Sequence, residues 1–230
     1  MPPEDSADPG EALTVTVDAA TRVSARWLLP PAARACYVLA HGAGAGMLHP
    51  FMRAAADVLA QQGIGTLRFQ FPYLERGSRR PDAPPLCHAT VRAAVTAAHE
   101  RCPQLPLFAG GRSFGGRMSS QAQAHSPLPG VRALVFLGFP LHPAGKPDTQ
   151  RAQHLQRVQL PMLFVQGTHD ALAERLRLLQ VLGELGTRAS IEWVADADHS
   201  FHVPARTGRK DPAVREALLE AAARWMLARA

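Results

Sequence analysis

The sequence predicts an α/β fold with a mostly parallel central sheet flanked by helices. Three observations predict it. Short apolar runs alternate with segments of helical periodicity along most of the chain. Two of the apolar runs, residues 36–40 and 106–110, lead straight into glycine-rich turns, as buried parallel strands do when they hand over to a helix. The side chains best suited to catalysis, Ser113, Asp170 and His199, each follow a predicted strand. That places them at the carboxyl edge of the sheet, where sites form in open α/β folds.

Taken in order, residues 13–17 alternate as a strand and 23–29 read as a second. Residues 36–40 form a buried strand. Pro50 suits the first turn of a helix, with Phe51, Ala55, Val58 and Leu59 on one face and Gly63 to close it. Residues 64–69 are a strand, 72–85 a Pro- and Arg-rich loop, and 89–101 a helix. The strand ending at Gly110 precedes Ser113, and the small residues after it suit a helix packed tightly on a sheet. The alternation continues with strand 131–137, helix 148–158, strand 162–166, helix 172–185 and strand 190–194. Asp211-Pro212 then caps a last helix with Val214, Leu218, Ala222 and Trp225 on one face. Only about 24 residues separate strands 131–137 and 162–166, too few for a large lid domain. Residues 1–11 are expected to be a flexible segment and 12–230 a single domain.

With 230 residues, 47% of them hydrophobic, the chain is long enough to bury a sizeable core. The longest uncharged stretch, 35–52, contains two histidines, three glycines and a proline, so no membrane span is expected. The acidic, Pro-bearing start has neither the basic nor the apolar region of a signal peptide. Cys36, Cys87 and Cys102 have no metal-ligand spacing. They read as free thiols in a reducing compartment, so a cytoplasmic location is expected. The net charge is +6, yet the arginines are scattered and few aromatics interleave with them. No nucleic-acid partner is expected. Oligomeric state is not legible.

Gly111-Arg112-Ser113-Phe114-Gly115 fits G-x-S-x-G, in which a serine sits on a strained strand-to-helix turn. A serine hydroxyl needs a base, usually histidine, and the histidine needs a carboxylate to orient it. Ser113, Asp170 and His199 stand in the serine–acid–histidine order that accompanies such turns. Asp148, Asp196 and Asp198 are rival acids, and His202 is a rival base. The loop His41-Gly42-Ala43-Gly44-Ala45-Gly46-Met47 lacks the Walker lysine and the G-x-G-x-x-G spacing of nucleotide sites. It suits an oxyanion hole, with Ala43 first and Gly44 second as donor, beside the amide of Phe114. His41 reads as shaping this loop. Arg76, Arg79 and Arg80 read as a solvated basic loop or, alternatively, as a site for a substrate carboxylate or phosphate.

With these motifs, the chain resembles the α/β-hydrolase superfamily, most of all its small lidless dienelactone-hydrolase-like group. Within that group it is similar to the predicted hydrolases related to testis-expressed protein thirty. The resemblance runs over nearly the whole chain after Leu13. It rests on the 41–47 loop with His49-Pro50-Phe51-Met52, on Phe71-Pro72-Tyr73, on residues 110–117, on Pro140-Leu141-His142-Pro143 with Gly145-Lys146-Pro147, on Gln166-Gly167-Thr168-His169-Asp170 and on Asp198-His199-Ser200-Phe201. It implies an α/β-hydrolase fold without a large lid, and a serine hydrolase acting on a small-molecule acyl substrate, an ester or thioester. Ser113, Asp170 and His199 would be its triad, and no metal or organic cofactor is implied. Dienelactone hydrolases use a cysteine nucleophile where this chain has Ser113. A non-catalytic scaffold for protein–protein interaction is the alternative.

Overall fold

The computed structural model describes residues 10–230. Most of the expected flexible segment 1–11 therefore lies outside the described residues, and Glu11 already pairs with Trp27. Eight strands form one sheet in the order β1-β2-β4-β3-β5-β6-β7-β8. They are β1 Glu11–Thr16, β2 Arg22–Leu28, β3 Ala35–Ala40, β4 Ile64–Phe69, β5 Leu107–Arg112, β6 Val131–Leu137, β7 Met162–Gly167 and β8 Ala189–Val194. The β1–β2 and β2–β4 pairs are antiparallel and the remaining pairs parallel. All six residues of β3, β4 and β7 are buried; β3 accordingly reads as a continuous apolar run, while β4 and β7 also bury Thr66, Arg68 and Gln166.

The helices are α1 Pro50–Gln61, α2 Pro72–Glu75, α3 Pro84–Arg101, α4 Phe114–His125, α5 Arg175–Leu185 and α6 Asp211–Leu227. Two buried clusters lie on opposite faces of the sheet. One packs α3, α4 and α5, and the other packs α1 and α6.

Four expected elements are corrected. Residues 148–158 are not an α-helix but a 3-10 helix over Gln150–Arg157. Its buried side chains are Ala152 and Leu155, followed by buried Val158, a three-residue period that matches three residues per turn. The expected 72–85 loop contains α2 and the start of α3, because Pro84 and Pro85 occupy the first helical turn, where a missing N–H costs nothing. The fifth helix begins at Arg175, since Asp170 turns the preceding residues by accepting from the Leu172 amide at 2.8 Å. Asp211 is the first residue of α6 and not its cap, and its carboxylate bonds His202 and the Val203 amide instead. The connection from β6 to β7 holds this 3-10 helix and no lid domain.

Candidate active site

Ser113 stands between β5 and α4 with φ 48° and ψ −114°, a region that costs a non-glycine residue about 1–3 kcal/mol. The surroundings hold it there. Its amide donates to the Leu137 carbonyl at 3.2 Å. A Cβ at Gly111 or at Gly115 would run into the Ala40 carbonyl of β3. The small residues two before and two after the serine are thus required by the neighbouring strand.

A hydrogen-bonded relay runs from this serine across the sheet edge. His199 Nε2 lies 2.8 Å from Ser113 Oγ, and His199 Nδ1 lies 2.6 Å from Asp170 Oδ2. The Asp170 carboxylate has no exposure and the His199 side chain 20%. A carboxylate at Nδ1 favours the tautomer that carries its proton there, leaving the Nε2 lone pair for the serine hydroxyl. Gln166 Nε2 also donates to Asp170 Oδ2, while Gln166 Oε1 accepts from the Phe139 amide at 2.8 Å.

Arg112 fixes the other side of the histidine. Its guanidinium donates to the His199 carbonyl and, at 3.1 Å, to the Leu137 carbonyl. It lies 5.4 and 5.1 Å from the Phe51 and Phe201 rings. Burial draws its pKa down to about 10, opposed by Asp170 and Asp198. The sequence reading missed both Arg112 and Gln166. The signal for Gln166 was a polar residue inside an otherwise apolar strand, which has to find partners when buried.

The 41–47 loop is tied down by the segment after β4. Burial pushes His41 down to about 4, keeping it neutral. It donates from Nδ1 to the Gly42 carbonyl at 2.7 Å and accepts at Nε2 from the Phe71 amide at 3.1 Å. The Gly44 amide donates to the Tyr73 hydroxyl at 3.0 Å, and the Met47 amide to Gln70 at 2.9 Å. Buried Arg68 donates to the Met47 carbonyl at 3.2 Å. Among the described residues, the Ala43 and Phe114 amides donate to no protein acceptor. Of the two candidate loop donors, Gly44 is engaged and Ala43 is free.

Two cavities meet at Ser113. One of about 330 Å³ is lined by His49, Phe51, Arg112 and His199. The other, about 420 Å³, is lined by Phe114, Arg117, Pro140 and Arg151. Ala43 and Leu172 line both. Arg76, Arg79 and Arg80 line neither. They are exposed, and Arg76 pairs with Asp82. The rivals stand apart from the relay. Asp198 accepts from the Ser200 and His202 amides, Asp196 lies 3.5 Å from Arg209, and Asp148 accepts from the Gln150 amide. His202 pairs with Asp211 at the surface. Among the described residues, no helix is long and apolar enough to cross a membrane.

The family described as alpha/beta hydrolase domain matches residues 33–227. Solved structures with the same fold include a dienelactone hydrolase from Anabaena variabilis, at 22% identity and TM-score 0.77, covering 95% of this chain and 97% of that one. A lidless α/β serine hydrolase from Xanthomonas campestris aligns at 23% identity and TM-score 0.71, covering 94% and 95%. Est1E from Butyrivibrio proteoclasticus, solved with ferulic acid, aligns at 16% identity and TM-score 0.70, covering 91% and 98%.

Proposed function

The chain belongs to the alpha/beta hydrolase domain family, and from that premise we propose that it is a serine hydrolase cleaving a carboxylic ester or thioester through an acyl-enzyme. The observation that carries the reading is the unbroken relay from Ser113 through His199 to Asp170, with contacts of 2.8 and 2.6 Å. Ser113 Oγ attacks the acyl carbon while His199 Nε2 takes its proton. Asp170 orients the imidazole and stabilises the imidazolium that forms. The oxyanion accepts from the Ala43 and Phe114 amides, an assignment supported by both amides lacking a protein acceptor. His199 then protonates the leaving oxygen or sulfur as its bond to the acyl carbon breaks. Water, deprotonated by the same imidazole, releases the acid and restores Ser113.

The finer kinship, to the predicted hydrolases related to testis-expressed protein thirty, belongs to this proposal. So does a cytoplasmic setting, which three buried free thiols favour. A fluorophosphonate probe tests the reading. It is expected to label Ser113 in the wild type, and Ser113→Ala is expected to abolish labelling and lower ester turnover by about three orders of magnitude or more. Absence of labelling in protein that melts cooperatively would instead support a non-catalytic scaffold.

A further inference from the structure

Arg117 stands four residues after Ser113, on the first turn of α4, and its placement differs from that of a solvated surface arginine. Its Nε is buried without a hydrogen-bond partner. Among the described residues, its guanidinium meets no carboxylate. The guanidinium lies over the Phe114 ring, 5.7 Å from the centroid. That contact leaves its N–H edge unused.

A second cation, Arg151, lines the same 420 Å³ cavity. Burial and the charge of Arg151 both lower the pKa of Arg117. The acidic group on the lining, Asp82, is already engaged by Arg76 and by the Tyr73 amide. A partly buried guanidinium beside another cation, without an anion, is a costly arrangement unless an anion arrives.

The relay decides which part of a substrate would enter this cavity. His199 has to deliver a proton to the leaving atom, so the leaving group lies on the side that His199 lines. That is the 330 Å³ cavity. The acyl chain extends the other way, past Phe114 towards Arg117 and Arg151. We propose that these two arginines form a subsite for an acyl group ending in a carboxylate, so that the preferred substrates are monoesters or monothioesters of dicarboxylic acids. This deepens the serine-hydrolase reading and rests on it. It also moves the anion site from the exposed Arg76, Arg79 and Arg80 to residues lining the cavity.

The test compares two esters with the same leaving group and acyl length, para-nitrophenyl pentanoate and mono-para-nitrophenyl glutarate. The wild type is expected to favour the glutarate ester in kcat/KM. Arg117→Gln is expected to lower the glutarate-to-pentanoate ratio about tenfold to a hundredfold, the scale of a lost charge-assisted hydrogen bond. Arg117→Lys should recover part of it. Arg151→Gln, at a half-exposed position, should lower the ratio less and guards against a folding defect at Arg117. A ratio unchanged within twofold in both glutamine variants overturns the subsite.

Failure of the hydrolase reading is separable. Should the wild type cleave neither ester, monomethyl glutarate is titrated calorimetrically into Ser113→Ala. Binding weakened about tenfold by adding Arg117→Gln supports the subsite. Equal binding, or none, overturns it.

Discussion

Gln166 is a polar side chain in a strand that is buried throughout, and its two hydrogen bonds join the carboxylate of the relay to the chain after β6. Replacing it with methionine keeps the volume and removes both bonds. The Phe139 amide is then buried without an acceptor, a loss of about 1–3 kcal/mol of stability, to be read from urea denaturation. Asp170 loses the donor that helps fix its orientation. Because Gln166 acts through Asp170, kcat for a neutral ester should fall about tenfold, about 1.4 kcal/mol, with KM within twofold. A raised KM at intact kcat would mean that Gln166 shapes binding instead. At this scale the sequence was legible in which side chains meet at the sheet edge, since chemistry dictates the type and order of Ser113, Asp170 and His199, and these three are hydrogen-bonded together. It did not give the roles of Gln166, Arg112 and Arg117, since a hydrogen-bond or charge partner is set by tertiary placement. Arg76, Arg79 and Arg80 drew attention as a cluster, although clustering in the chain says nothing about which way a loop faces.

The turn from β5 into α4 is where strand, helix and serine are built together. Strand bounds were legible because buried parallel strands are mostly apolar: β4 and β6 have the bounds expected for them. Helix starts were less so. Prolines at 84 and 85 look like a loop but sit in a first turn, and the helix expected over 148–158 is a 3-10 helix whose buried Ala152 and Leu155 stand three residues apart. The glycines of the turn make a sharper demand. At Gly111 the φ is 144° and an added Cβ collides with the Ala40 carbonyl, a backbone atom of a central strand that has no free direction to move. Gly111→Ala should therefore cost more than about 3 kcal/mol, or prevent folding, from strain and collision together. Gly44 also has a positive φ, but no atom lies within 4 Å of its added Cβ. Gly44→Ala should cost only about 1 kcal/mol. Equal denaturation midpoints for the two variants would refute this account of the pentapeptide.

For the molecule as a whole, acid is expected to act through the imidazoles that the fold keeps neutral. Burial holds His41 at about 4, and burial with nearby Arg117 and Arg157 holds His154 at about 4, against about 6.5 in an unfolded chain. Between these values the unfolded state binds protons that the folded state refuses, so stability rises with pH across this window and is lost as pH falls through it. For fully buried His41 the slope is about 1.4 kcal/mol per pH unit, reaching about 3 kcal/mol at the acid end. His154, half-buried against Ser120, contributes less. His202, raised by Asp211 at the surface, has the opposite sign: its stabilisation is present below the ordinary histidine range and fades as pH rises. Its full exposure keeps that share small. The loss matters to function because protonated His41 can no longer accept the Phe71 amide that anchors the loop bearing Ala43. His41→Gln can still donate to Gly42 and accept from Phe71 without titrating. Urea denaturation from pH 7 to 4.5 should therefore give a shallower decline in His41→Gln than in the wild type, by about one proton taken up on unfolding. Parallel declines would place the acid sensitivity elsewhere in the chain.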